Sequence, residues 1–252
     1  DFHSAEVTGL DICLRKQLIV TCSKDKSVRV WNYVSKKLEI CEYQTEECLA
    51  VAFHPSGFHL VVALADKIQM MNVFSNSLSK LKSFGLKSCR EIQFSNGGHL
   101  FAAISRDTVQ IYNFWTGEQP AHLQYKAHTQ PVRCVTWYED DSGFVSCGAD
   151  GGVYSFSLKS KEEKDDEYMD KGTTFLNVAK VPEQRTLYAV GTSKKIIEIE
   201  CSKVKDECEV GRTLSQVVLS ANGKALFVST AEEGFPGSIQ IYKFPFEKTM
   251  EI

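Results

Sequence analysis

The sequence lacks any hydrophobic run long enough to cross a membrane as a helix. One of its longest apolar runs, LVVALA at residues 60–65, is far shorter than the roughly 20 residues that such a helix needs. The first residues, DFHSAEV, contain neither the basic region nor the apolar region of a secretory signal, and they lack an initiator methionine. We therefore expect no membrane partner, and we expect a portion of a longer chain.

Paired metal-binding cysteines are also missing, because no two cysteines have the CxxC spacing of a structural zinc site. The nine cysteines are scattered, odd in number and mostly within apolar runs, at Cys13, Cys22, Cys41, Cys48, Cys89, Cys134, Cys147, Cys201 and Cys208. Such thiols are typical of a reducing, intracellular compartment and not of a disulfide framework. We expect neither a metal nor a cofactor.

An excess of positive charge is absent as well. Lysine and arginine number 29 against 32 aspartates and glutamates, so the formal net charge is −3. Nucleic-acid binding needs a basic excess or a clustered basic patch, and the sequence shows no such cluster. The sequence therefore predicts no nucleic-acid partner, while 43% hydrophobic and 24% charged residues are ordinary for a folded protein.

What the sequence does contain is a short alternating pattern that recurs six times. Its first apolar residues are Val28, Ile68, Val109, Val153, Ile197 and Ile239, at intervals of 40, 41, 44, 44 and 42. Two further apolar runs precede each marker and a more variable run follows it, and these runs are rich in β-branched and aromatic residues. Turn sequences such as SNGG at 95–98 separate them.

Six four-stranded units with a fixed period predict an all-β fold, a β-propeller whose small sheets stack around an axis. The predicted blades form one domain or fragment and cover approximately residues 3–43, 44–84, 85–127, 128–172, 173–211 and 212–252. Both a six-bladed ring and part of a seven-bladed or double propeller fit this pattern. In an incomplete ring, open edge strands would promote self-association.

A set of polar residues recurs after half of this series. The first set is His3, Thr21, Asp25 and Trp31, and its counterparts 125 residues later are His128, Ser146, Asp150 and Phe156. A catalytic triad is needed once, with an exposed nucleophile, whereas a network that supports a blade should recur. We therefore predict no catalytic residue, and a structural network in which imidazole links the carboxylate to the hydroxyl.

The period, the leading histidine, the aspartate turn and the ending VWN at 30–32 together resemble the WD-repeat (WD40) family over essentially the whole chain. WN stands where that family usually has WD. Only the first unit has the complete network, the fourth has it with Phe156, and the other four keep the strands alone. Those blades must depend more on packing.

Two longer segments carry a closer resemblance, FHPSGFHLVVALADKIQMMNV at 53–73 and CREIQFSNGGHLFAAIS at 89–105. They resemble the cilia- and flagella-associated WD-repeat proteins of the axoneme. This resemblance implies a non-enzymatic scaffold near inner-arm dynein or its regulators, with dynein-associated or microtubule-associated partners. The alternative is a general intracellular WD-repeat adaptor in a ubiquitin-ligase or trafficking complex.

Charged residues near the entry to the innermost strands are our candidates for protein contacts. They are Glu6, Lys24, Glu47, Arg90, Arg106 and Arg133. Arginine on an innermost strand can anchor a partner, while the alternative is an ordinary solvated charge. Phe235, at the tip of a hairpin at 231–238, is a further candidate, although packing onto a neighbouring blade is the alternative.

The run KSKEEKDDEYMDKG at 159–172 stands where the fourth unit should have its outer strand. Charge runs are typical of solvated, mobile loops, and an acidic docking segment for a basic partner is the alternative. The remaining histidines have no ligand spacing, and we interpret them as turn or surface residues: His54, His59, His99 and His122.

Overall fold

The regular secondary structure in the described part of the chain is almost entirely β-strand. The computed structural model describes residues 2–120, 123–159, 164–220, 223–231, 237–243 and 247–251. These residues form 24 strands and no α-helix, and hence no helix that could span a membrane. The predicted all-β fold class is confirmed, because the strands form six four-stranded antiparallel sheets.

Three of these sheets lie in a first compact unit, residues 1–125. Sheet 1 consists of β1 (Val7–Cys13), β2 (Leu18–Ser23), β3 (Ser27–Asn32) and β4 (Lys37–Tyr43). Sheet 2 consists of β5 (Ala50–Phe53), β6 (His59–Ala63), β7 (Lys67–Val73) and β8 (Leu78–Gly85). Sheet 3 consists of β9 (Cys89–Phe94), β10 (Leu100–Ser105), β11 (Thr108–Asn113) and β12 (Gln124–Tyr125).

The other three sheets lie in a second compact unit, residues 126–252. Sheet 4 consists of β13 (Val132–Trp137), β14 (Gly143–Gly148), β15 (Gly152–Ser157) and β16 (Lys164–Met169). Sheet 5 consists of β17 (Phe175–Lys180), β18 (Thr186–Gly191), β19 (Lys195–Glu200) and β20 (Lys203–Glu209). Sheet 6 consists of β21 (Leu214–Leu219), β22 (Ala225–Thr230), β23 (Ile239–Lys243) and β24 (Glu247–Glu251).

Each sheet has two ends, because its strands are antiparallel and follow chain order. At one end of each sheet, the chain enters the first strand and a turn joins the second strand to the third. We call this the entry end. The other end carries the turns between strands one and two and between strands three and four. In the first unit this far end comprises residues 14–17, 33–36, 54–58, 74–77, 95–99 and 114–118.

The cores lie between adjacent sheets of each unit. In the first unit, Val20 and Val30 of sheet 1 pack with Leu60 and Val62 of sheet 2, and all four are 0% exposed. Phe175 belongs to the equivalent core between sheets 4 and 5. Because a middle sheet is covered on both faces, its inner strands are largely continuous apolar runs, such as AVAF in β5 and LVVA within β6. Each fully buried side chain of this size contributes about 1.5–3 kcal/mol.

Residues 164–169 form β16, the outer strand of sheet 4, so the prediction of a mobile charged loop is wrong for them. Along β16, half-buried side chains alternate with exposed ones. Tyr168 packs on the core between sheets 4 and 5, with its ring centroid 6.2 Å from that of Phe175. An edge strand needs only one packed face, and charges on the other face protect it from pairing with other chains. Residues 160–163 lie outside the described part.

Candidate functional site

The polar residues of the first repeat meet at the entry end of sheet 1. Nδ1 of His3 lies 3.0 Å from Oδ2 of Asp25, and Nε2 of His3 lies 2.8 Å from the Thr21 hydroxyl. The indole N–H of Trp31 donates to that hydroxyl at 2.9 Å. One tautomer satisfies the chain: the indole donates to Thr21, Thr21 donates to His3, and His3 donates to Asp25. Side-chain exposure is 6% for His3 and 5% for Asp25.

The Asp25 carboxylate is held by more groups than the repeat pattern indicates. It accepts hydrogen bonds from the backbone N–H of Ser4 at 3.0 Å and of Ser27 at 2.9 Å, and from the Ser27 hydroxyl at 2.6 Å. Burial alone would raise the pKa of Asp25, but the hydrogen bonds from Ser27, Ser4 and His3 outweigh it and hold that pKa well below its usual range. The carboxylate is therefore ionised and stabilised by folding.

This shift predicts the pH dependence of an Asp25→Asn variant. A carboxyl group whose pKa is lower in the folded state stabilises the protein above its unfolded pKa of about 3.9, and that stabilisation is lost as pH falls through the folded pKa. The gap in free energy of unfolding between wild type and variant should be constant from pH 7 to pH 5, and should shrink below about pH 4. Urea denaturation across this range measures it. A gap that stays constant down to pH 3 would exclude the proposed ionisation.

The second network lies at the entry end of sheet 4 and has the same geometry. Nδ1 of His128 is 2.9 Å from Oδ1 of Asp150, and Nε2 is 2.8 Å from the Ser146 hydroxyl. Burial would raise the pKa of Asp150, but the hydrogen bonds from His128, Thr129 and Gly152 lower it overall. Phe156 takes the place of the indole and stacks on Phe144 at 5.1 Å.

These hydroxyl groups are badly placed for nucleophilic attack. Ser146 is 0% exposed, and the Thr21 oxygen already accepts a hydrogen bond from Trp31 while it contacts His3. A hydrolase needs its nucleophile open to the substrate, with donors ready for the oxyanion. In addition, the described residues contain no group of three or more His, Cys, Asp or Glu that could hold a metal ion. The arrangement can tie strands together, and it offers no open reaction centre.

Four of the predicted contact residues come together at the entry end of the first unit. Lys24 forms an ion pair with Glu6 at 2.5 Å, which raises the pKa of Lys24 and lowers that of Glu6. Glu47 also raises the pKa of Lys24 through its charge, whereas Arg90 lowers it. We call these four residues the entry-end charge cluster. Its members are exposed, and their binding role stays a prediction.

Two of the predicted arginines occupy β-bulges, which sequence reasoning missed. In β9 the pairing with β10 skips Arg90, and in β13 the pairing with β14 skips Arg133. A bulge turns a side chain away from the regular alternation, and both arginines are exposed. Arg106 is exposed in the turn after β10 with a φ of 56°. Phe235 lies outside the described residues.

Sequence reasoning also missed two buried participants. Arg29 is 4% exposed on β3, and its Nε donates to the Ser27 hydroxyl at 3.2 Å. Its guanidinium lies 3.9 Å from Asp25, so it adds positive charge beside the network. The signal was available, because SVRVWN places Ser27 and Arg29 on the strand that follows the aspartate turn.

His54, predicted to be a turn or surface residue, lies in a turn and is nevertheless buried. His54 occupies the turn between β5 and β6 but is only 6% exposed. Its ring centroid lies 4.8 Å from that of Phe114, 5.2 Å from Phe94 and 6.0 Å from Trp115. Burial is the main cause that lowers the pKa of His54, followed by the charge of His59. The packing of sheets 2 and 3 around the turn is the physical reason for this burial.

Comparison with known proteins points to one family. A family model described as "WD domain, G-beta repeat" matches residues 1–32 and 120–157. These are the segments that carry the two histidine–aspartate networks. The predicted resemblance to WD repeats is therefore confirmed.

Individual relatives match along nearly the whole chain. Cilia- and flagella-associated protein 57 A of Tetrahymena thermophila is 36% identical over 292 residues, covering 100% of this chain and 22% of that protein. Cilia- and flagella-associated protein 57 of Mus musculus is 37% identical over 250 residues, covering 99% of this chain and 20% of that protein. The chain thus spans about a fifth of the length of these relatives.

A more distant likeness involves a cytoskeletal protein. The 77 kDa echinoderm microtubule-associated protein of Lytechinus variegatus is 24% identical over 191 residues, covering 71% of this chain and 28% of that protein. The predicted resemblance to cilia- and flagella-associated proteins is confirmed by the two stronger matches.

Proposed function

We propose that this chain, which belongs to the WD-repeat family, forms a non-catalytic protein-interaction part of a scaffold in the ciliary or flagellar axoneme. The observation that carries the proposal is the 36–37% identity, over 99–100% of the chain, to two proteins named as cilia- and flagella-associated. The finer part of the proposal places the chain beside inner-arm dynein or its regulators. Microtubule-associated components are further partners, which the likeness to the echinoderm protein supports.

The buried networks support a non-catalytic role. In both networks, the imidazole and hydroxyl groups are engaged in hydrogen bonds between strands of one sheet. None of these groups is open to a substrate. An enzyme would instead present convergent polar groups with perturbed ionisation in an open pocket. The lowered pKa values of Asp25 and Asp150 arise in the closed networks, so they have a structural cause.

The entry-end charge cluster is the contact surface that we favour for the proposed partners. Exposed charges of both signs give an interface its specificity and its rate of association more than its affinity. Arg90 is the member best suited to anchor a partner, because its bulge projects it and guanidinium groups bind carboxylates in a bidentate manner. Arg106, Arg133 and Phe235 remain further candidates.

The test uses the full-length protein that contains this chain, tagged and expressed in ciliated cells. Wild type is compared with an Arg90→Glu variant, and with Lys203→Glu on the exposed strand β20 as a matched control. After detergent extraction, we expect wild type and control to stay with the axoneme and to cross-link to dynein subunits. Arg90→Glu should lose most of these cross-links, since reversing an anchor charge typically costs about 2 kcal/mol or more.

The alternative, a general WD-repeat adaptor, predicts a different outcome. The wild-type protein would then leave the axoneme in the detergent extract and cross-link to ubiquitin-ligase or trafficking subunits. That result would overturn the axonemal proposal. If wild type stays with the axoneme and Arg90→Glu keeps all of its cross-links, the proposed contact surface is wrong, while the location stands.

A further inference from the structure

The far end of the first unit exposes an unusual number of large apolar side chains. Five of them lie in its turns: Leu14 (74% exposed), Val34 (61%), Phe58 (56%), Phe74 (56%) and Trp115 (68%). Single exposed apolar residues are normal on a protein surface, whereas a contiguous group of them marks an interaction site.

Contacts between the turns connect Phe58, Phe74 and Trp115, and Leu14 and Val34 lie in two further turns of the same end. The Lys16 ammonium lies 3.4 Å from the centre of the Phe58 ring, which joins the far ends of sheets 1 and 2. Lys82 of β8 donates to the backbone carbonyl of Thr116, which joins sheets 2 and 3. The Trp115 ring also packs 6.1 Å from that of His59 at the start of β6.

A cleft of about 780 Å³ runs between sheets 1 and 2 at this end. Leu18, Ile40 and Val73 line it, Phe58 and Phe74 are exposed members of its wall, and its charged lining residues are Lys16 and Glu39. A cleft of this size holds several side chains of a bound segment. It lies wholly within the first unit.

The charge at this end is strongly positive. Its turns and the adjoining strand ends carry six cations, which are Arg15, Lys16, Lys36, Lys37, Lys80 and Lys82. The acidic residues are Glu118 within the turns, Glu39 on the adjoining β4, and Asp11 on the adjoining β1, whose carboxylate accepts from the N–H of Phe53. Among the described residues, none of the six cations forms an ion pair. We call these cations and the five exposed apolar residues the far-end surface.

The chemistry of the partner follows from this mixture of charges and apolar groups. Three acids balance only half of the six cations, so the cations repel one another, and a partner that brings carboxylates reduces this repulsion. The cleft and the exposed rings require apolar side chains between those carboxylates. A polyanion without apolar side chains would leave the cleft and the exposed rings without a partner.

We propose that the far-end surface binds an acidic peptide segment of a partner protein, with aromatic or aliphatic residues spaced among its Asp and Glu residues. The carboxylates pair with the lysines around the cleft, and the apolar side chains enter the cleft beside Phe58 and Phe74. This surface is at the opposite end of the unit from the entry-end charge cluster. The proposal is independent of the axonemal location.

The test measures binding of synthetic peptides to the 252-residue chain by fluorescence anisotropy. The probe is a labelled peptide of glutamates with interspersed phenylalanines, and the reference is the same peptide with glutamine for glutamate. The variant is Lys36→Glu, Lys37→Glu, Lys80→Glu, and the matched control, with the same change in net charge, is Lys87→Glu, Lys171→Glu, Lys203→Glu. All six lysines are exposed, so folding should be preserved, which thermal melting checks.

We expect the acidic peptide to bind, its glutamine analogue to bind at least about tenfold more weakly, and added salt to weaken binding. The reversal variant should lose about tenfold or more in affinity, and the control variant less than about twofold. A Phe74→Ala, Trp115→Ala variant should also bind more weakly, since the rings supply apolar contact.

Three results would overturn the proposal. Equal loss of affinity in the reversal and control variants would show that the field of the whole chain matters, and not this surface. Unchanged binding by the Phe74→Ala, Trp115→Ala variant would show that these rings do not contact the apolar side chains of the peptide. Tighter binding of a single-stranded oligonucleotide, or of phosphatidylserine vesicles, would assign the surface to that class of ligand instead.

Discussion

Replacing Asp25 by alanine should lower the free energy of unfolding by about 3 kcal/mol. The carboxylate accepts from Ser4, from Ser27 twice and from His3, at 2.6–3.0 Å. Without it, the His3 and Ser27 donors lose this partner inside the sheet, and Arg29 keeps its charge beside them. In a chain of this size, the midpoint of thermal unfolding should fall by roughly 10 °C.

Tryptophan fluorescence during heating measures this change, because Trp31 is part of the affected network. Asp206→Ala is the matched control, since that exposed carboxylate accepts only from the N–H of Glu207 among the bonds seen here. The control should stay within about 0.5 kcal/mol of wild type. Equal melting of Asp25→Ala and wild type would show that the network does not stabilise sheet 1.

The largest single loss is expected for Gly151→Ala, in the turn that follows Asp150. The glycine has a φ of +77°, and an added Cβ would lie 1.9 Å from the Asp170 carbonyl oxygen. The two backbone segments cannot easily move apart, because the Asp170 N–H donates to the Gly151 carbonyl at 2.8 Å. We expect a loss of more than about 4 kcal/mol, which would leave little folded protein in the second unit.

Gly211→Ala separates the two causes of this loss. Gly211 has nearly the same φ, +79°, but an added Cβ would find no heavy atom within 4 Å. This variant should lose only the cost of the left-handed conformation, about 1–2 kcal/mol. Urea denaturation compares the two proteins. Losses of equal size would mean that backbone conformation dominates and that the close approach to Asp170 is relieved at little cost.

The alternation of short strands could be predicted from the sequence because the signal is local. Each run has the two-residue period and β-branched composition of a strand, and turn residues separate the runs. The spacing of 125 residues between the two polar sets identified both networks, since geometry that repeats with the fold repeats in the sequence. Strand β16 was missed, because its inward face carries only Tyr168 as a large apolar residue amid charges.

The burial of His54 and the exposure of Arg90 and Arg133 could not be read from the sequence. His54 looks like any turn histidine, and only the stacking of sheets 2 and 3 surrounds it with aromatic rings. Arg90 and Arg133 lie in sequences that are typical of regular strands. A β-bulge, in which the pairing shifts by one residue, decides where each side chain points. Such slips depend on the neighbouring strand, which a single run of residues does not reveal.

The sequence by itself determined the number and order of the strands, and the residues that lock the first and fourth sheets. Tertiary structure alone decided which distant charges became neighbours. The cations of the far-end surface are scattered along the chain and form no basic cluster in the sequence. They are Arg15, Lys16, Lys36, Lys37, Lys80 and Lys82. Sheet stacking brings their turns to one end of the first unit, because adjacent four-stranded sheets must cover each other's apolar faces.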